Sequence, residues 1–176
     1  MAVLSASTMI RSISLFHMTL AALLLKNPSL IANQGVVLVL GQSMQLPHPR
    51  DFNKPSPTTA FLGVVFALLG LSDLTALSLS DTLFDEFWGN QAPVRLLFLF
   101  ALTGYTYAFK PGGIFAAREA GYDVLGGGAG LNNSVVFTWG FVELAAWMWV
   151  YTTLREERTE RVNKVLAERK AEEERL

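Results

Sequence analysis

The sequence predicts an all-α fold, a polytopic transmembrane bundle of four helices with a fifth candidate, ending in a charged cytosolic helical tail. Three observations predict it. Charge gathers at one end: of the 14 Lys and Arg, seven lie in residues 155–176, and of the 15 Asp and Glu, seven lie there too. The chain is 51% hydrophobic, so the charge-poor remainder is poorly suited to water and reads as lipid-embedded. Apolar runs also recur at the length a helix rising roughly 1.5 Å per residue needs to cross roughly 30 Å of hydrocarbon. Residues 1–154 are therefore assigned to the bundle and 155–176 to the tail.

The first span is expected at residues 9–25. Arg11 before an apolar stretch resembles a signal peptide, but no convincing small-residue cleavage site follows, so the segment reads as a retained span. One Arg ahead of a solid apolar block also differs from an amphipathic matrix presequence. Lys26, Asn27 and Pro28 end this span, because proline cannot continue the helix and biases Asn27 away from it. Residues 30–46 are ambiguous, with Asn33, Gln34, Gln42 and Gln45 among apolar neighbours, and fit a re-entrant or interfacial segment as well as a span. After four prolines between Pro47 and Pro57, the clear spans are 58–79, 92–109 and 134–154. Residues 88–93 read as a break before the third of the four spans, and 110–133 as a Gly-rich connection.

Arg155 and Arg158 follow the last span directly, which places the tail in the cytosol by the excess of Lys and Arg on cytosolic flanks. Counting back, the amino terminus is cytosolic with four crossings and lumenal with five. In the tail, Glu157 with Arg161 and Glu160 with Lys164 stand at helical spacing, which favours a solvated helix continuing the span. Val162, Val165 and Leu166 form a stripe too short for a coiled coil.

Charges inside the apolar runs are the candidate functional residues. An ionised Asp73 in a span costs roughly 2.5 to 3.5 kcal/mol on insertion scales unless paired. Arg95 lies in the next span, and counting both from a turn near Trp88 puts them at roughly 9 and 5 Å depth. A buried Asp73–Arg95 ion pair is expected, beside a seam of Ala60, Gly63, Ala67 and Gly70 that recurs at helical steps and admits another helix closely. Glu143 sits near the middle of the last span, flanked at helical spacing by Trp139, Gly140, Ala146 and Trp147, and His17 is equally central in the first. A hydrogen bond or shared proton between Glu143 and His17 would ease the burial of both. Such groups either lock helices together or line a path.

Other signals are weaker. Gly126–Gly130 reads G-G-G-A-G, but no Gly-Lys-Ser/Thr follows, so a linker is favoured over a phosphate loop. Asn132-Asn133-Ser134 fits the glycosylation pattern, yet its position at the mouth of a span hinders access. With no Cys, two His and no H-E-x-x-H, neither a metal site nor a cofactor is expected, and no G-x-S-x-G marks a nucleophile. A net charge of -1 without a basic face disfavours direct nucleic-acid binding.

Four blocks carry a family likeness: L-L-G-L-S-D-L at 68–74, P-V-R-L-L-F at 93–98, N-N-S-V-V-F at 132–137 and L-R-E-E-R at 154–158. Lys26-Asn27 and Q-S-M-Q-L-P at 42–47 add to it. Together they resemble the fungal "increased loss of mitochondrial DNA" protein family over most of residues 9–158. The Gly-rich stretch before Asn132 and the short tail depart from it. The resemblance implies a multi-pass protein of the endoplasmic reticulum membrane, with an indirect role in mitochondrial DNA maintenance and no catalytic signature.

The leading expectation is a non-enzymatic accessory or assembly factor for another membrane component, with membrane lipids and a membrane protein as partners. Two alternatives stand beside it. One is an ion or proton pathway lined by Asp73, Arg95, Glu143 and His17. The other is a lipid- or sterol-binding or modifying protein that uses Glu143 and His17.

Overall fold

The computed structural model describes residues 4–110, 112–113 and 129–173, and these are mostly helical with no strand among them. Gly126, Gly127 and Gly128 of the G-G-G-A-G motif lie outside the described residues.

Helix α1 (Ala6–Lys26) starts where the Ser5 hydroxyl accepts the Thr8 N–H, and it ends at Asn27, one residue before Pro28. Two short helices follow, α2 (Ser29–Ala32) and α3 (Gly35–Ser43). Residues 30–46 therefore do not make one continuous span. Nine residues of helix reach only about 13 Å, less than half of a hydrocarbon core.

Helix α4 (Pro57–Ala76) opens with a capping box, Ser56 and Thr59 each bonding the other's backbone N–H, and with Pro57 at its first position. Helix α5 (Asp81–Ala108) runs straight through Pro93, so residues 88–93 are helix rather than a break. The turn between α4 and α5 falls at residues 77–80. Helix α6 (Ser134–Glu173) begins where the Asn133 side chain accepts the N–H groups of Val135 and Val136, both at 3.0 Å. Its 40 residues extend about 60 Å, enough to cross a membrane and project as far again.

Length and apolar composition qualify α1, α4 and α6 as membrane spans. Helix α5 has the length, 28 residues, but Arg95, Thr103, Tyr105 and Thr106 dilute its apolar run.

The helices pack as antiparallel pairs, α1 on α4 and α5 on α6, with α1 also meeting α6. A Cβ built on Gly63 would stand 3.0 Å from the Ala21 carbonyl oxygen, and one on Gly70 2.9 Å from that of Ser14. Only glycine lets the two backbones come this close. The Ala6 N–H donates to Glu157 Oε1 at 2.9 Å, and Arg161 pairs with Asp85. The start of α1, the start of α5 and the tail thus share one end of the bundle. At the other end, α3 seats on α6, with Gly41 against Ser134, and the Ser134 N–H donates to the Pro47 carbonyl at 3.0 Å.

The outer surface is apolar and much of the interior is not. Phe61, Leu68, Val94, Leu97, Phe98 and Phe100 are more than 60% exposed, while Ser14, His17, Asp73, Thr106, Thr138 and Glu143 are buried. An outward greasy face around buried polar groups is the arrangement hydrocarbon selects.

Candidate functional site

Asp73 lies three residues from the end of α4, on the face that Gly63 and Gly70 turn towards α1. Its carboxylate takes both arms of Arg95, Nη1 to Oδ2 at 2.7 Å and Nη2 to Oδ1 at 2.6 Å. This bidentate geometry is the strongest form of carboxylate–guanidinium contact. The Asp73 side chain is 1% exposed and that of Arg95 20%. The depth count from Trp88 is not why they meet, since the turn lies earlier and Arg95 sits fourteen residues into α5. They meet because α5 begins beyond the end of α4, where Asp85 reaches the tail, and the long Arg95 side chain spans the rest.

His17 on α1 and Glu143 on α6 form a second couple, Nε2 to Oε1 at 2.9 Å, with side chains 1% and 3% exposed. The other carboxylate oxygen, Oε2, accepts the indole N–H of Trp147 at 3.0 Å, one helical turn away. Both oxygens of Glu143 are therefore occupied by the chain itself.

Trp147 joins the two couples. The Arg95 Cζ stands 4.5 Å from the Trp147 ring centroid and 5.5 Å from that of Trp88, and the two indoles stack at 5.8 Å with 25° between their planes. A guanidinium over an indole face is attracted by the ring quadrupole, most strongly where water is excluded. The result is a continuous path from Asp73 on α4 through Arg95 on α5 to Trp147 and Glu143 on α6, ending at His17 on α1. All four long helices contribute one or more members.

Sequence reasoning named the four ionisable residues and noted that Trp147 shares a face with Glu143, but gave Trp147 no role and took Trp88 for a turn, where it lies inside α5. The available signal was spacing: Trp88 lies seven residues, two turns, before Arg95, and Trp147 four after Glu143. Of the small-residue seam, Gly63 and Gly70 are buried against α1, and Ala60 and Ala67 are half-buried on the same face. At the other end, the Asn132 amide donates to the Phe109 carbonyl at 2.8 Å, so the glycosylation pattern holds an asparagine already engaged in the fold.

One polar atom of the couple has no hydrogen-bond partner among the described residues, His17 Nδ1. The rings of His17 and Trp139 both approach Phe66, each at 5.6 Å, and Trp139 Nε1 is likewise buried without a partner.

Comparison with known proteins gives a consistent result. The family model described as increased loss of mitochondrial DNA protein 1 matches residues 4–164. The chain is similar to Protein ilm1 of Schizosaccharomyces pombe, 29% identical over 167 residues that cover 93% of this chain and 89% of that one. It is also similar to Protein ILM1 of Saccharomyces cerevisiae, 28% identical over 145 residues, covering 82% of this chain and 62% of the relative. No solved structure matches. The matched region takes in α1 to the first part of the tail, and with it every member of the polar path, so the chain belongs to the increased loss of mitochondrial DNA protein 1 family.

Proposed function

We propose that this chain is a non-enzymatic multi-pass protein of the endoplasmic reticulum membrane that assists or assembles with another membrane component, mitochondrial DNA loss being a downstream consequence of its absence. The observation that carries this reading is the saturation of the two buried carboxylates. Both oxygens of Asp73 and both of Glu143 are bonded within the chain, so the buried charges serve as locks between helices. Family membership supports the link to mitochondrial DNA, and the resemblance in the sequence blocks supports residence in the endoplasmic reticulum. Arg155 and Arg158 at the exit of α6 support a cytosolic tail.

The seam of Ala60, Gly63, Ala67 and Gly70 is filled by α1 and is not free for a partner. A partner would meet the exposed apolar faces of α4 and α5 instead, where Phe61, Leu68, Leu97 and Phe100 point outward. Affinity purification of the tagged full chain in mild detergent, followed by identification of co-purifying proteins, tests the reading. A reproducible stoichiometric membrane protein, lost on Leu97→Ala with Phe100→Ala while the fold is kept, is expected. Recovery of the chain alone in several mild detergents counts against an assembly role.

A proton pathway has one observation in its favour, the unpartnered His17 Nδ1 beside Glu143. Reconstituted vesicles decide it: a proton flux abolished by Glu143→Gln would replace the assembly reading.

A further inference from the structure

Between α5 and α6, on the tail side of the bundle, a groove of about 290 Å³ opens. Gly89, Pro93, Tyr151 and Leu154 line it together with Asp85, Arg155 and Arg158. The acid in the lining, Asp85, is already taken by Arg161, which also reaches Glu157 at 3.8 Å. Arg155 and Arg158 are exposed, make no ion pair among the described residues, and lie three apart on one helix. The Arg155 Cζ rests 5.8 Å from the Tyr151 ring centroid. Like charges at this spacing repel and weaken a helix unless an anion lies between them.

The wall supplies a second polar feature. Pro93 has no N–H to give the carbonyl of Gly89, the residue four before it, and both residues line the groove. The Gly89 carbonyl thus lacks the donor that residue 93 would ordinarily supply, in the wall of a groove lined also by two guanidinium groups without an ion pair among the described residues. Beyond the groove, α5 continues as an exposed apolar surface at Val94, Leu97 and Phe98.

We infer that this groove holds the headgroup of an acidic phospholipid from the leaflet on the tail side. The phosphate pairs with Arg155 and Arg158, a donor on the headgroup reaches the Gly89 carbonyl, and the acyl chains run into the surrounding lipid along α5. Guanidinium groups match phosphate oxygens through paired N–H donors, and a site at the water–lipid boundary meets the charge and the chains together.

The test uses the full chain in mild detergent, titrated with phosphatidylserine, phosphatidylcholine or inorganic phosphate while thermal unfolding is followed. Phosphatidylserine is expected to raise the midpoint saturably, with phosphatidylcholine and inorganic phosphate giving little rise. Arg155→Gln with Arg158→Gln is expected to weaken the phosphatidylserine response by about tenfold in half-saturating concentration. Arg169→Gln with Lys170→Gln, farther along the tail, is expected to leave it unchanged. A Cβ on Gly89 meets nothing within 4 Å, so Gly89→Trp fills the groove without altering charge and is expected to abolish the response even if the arginine variants fail to fold. Equal stabilisation by phosphatidylcholine or by inorganic phosphate overturns the inference. So does an undiminished response in Gly89→Trp, or an equal loss in the distal tail variant.

Discussion

From the tail side to the middle of the bundle, side chains from four helices meet in one path, Asp73, Arg95, Trp147, Glu143 and His17, set beside a core that includes Trp88, Ile10, Ala92 and Val150. At the opposite end, a smaller core of Ala32, Val37 and Val135 is joined by bonds to backbone carbonyls. There Lys110 Nζ donates to the Met44 carbonyl at 2.6 Å, and Asn132 and Ser134 bond carbonyls of Phe109 and Pro47. The hydroxyls of Ser134 and Thr138 lie buried with no partner among the described residues. The two ends differ in how they fail: removing a carboxylate of the path leaves its partner behind with no counterpart, whereas the carbonyl bonds at the far end break one at a time.

The largest effect is expected at Asp73. Asp73→Ala leaves Arg95 without its carboxylate, and a loss of about 3 to 5 kcal/mol is expected, read as thermal or denaturant unfolding in detergent. Exchanging the charges, Asp73→Arg with Arg95→Asp, is expected to recover only part of that loss. The restored pair no longer sets a cation over Trp147. Next in size is Gly70→Leu, which forces a side chain against the Ser14 carbonyl and Met18, and about 1 to 3 kcal/mol of overpacking is expected. Smallest is Lys110→Met at the far end, where one charge-assisted bond to Met44 and a contact 4.6 Å over the Tyr107 ring are lost. A cost of about 1 to 2 kcal/mol is expected there. A loss at Lys110 equal to that at Asp73 would erase the distinction between the two ends.

Much of this organisation was legible in the sequence. Hydropathy located α1, α4 and α6, and the cost of burying Asp73 called for a cation that Arg95 could supply. These are local or one-dimensional quantities. The bend between α2 and α3 was legible only as ambiguity, since polar residues weaken the apolar signal without saying where a helix stops. Pro93 misled, because its usual role as a breaker yields when the helix on either side is held by packing, here by Trp88 on Trp147 and by Thr103 near Gly140. The linking role of Trp147 was hidden because it depends on how α5 is rotated against α6, which no spacing within one helix reveals.

The claim that one side-chain path unites the four helices is tested most directly by a double-mutant cycle between Asp73→Asn and Glu143→Gln, two sites on different helices with Arg95 and Trp147 between them. Unfolding free energies are measured once with Trp147 present and once with Trp147→Leu. A coupling of about 0.5 to 1 kcal/mol is expected, and it disappears when the indole is gone. Additive losses in both backgrounds, or a coupling that survives Trp147→Leu unchanged, would contradict it.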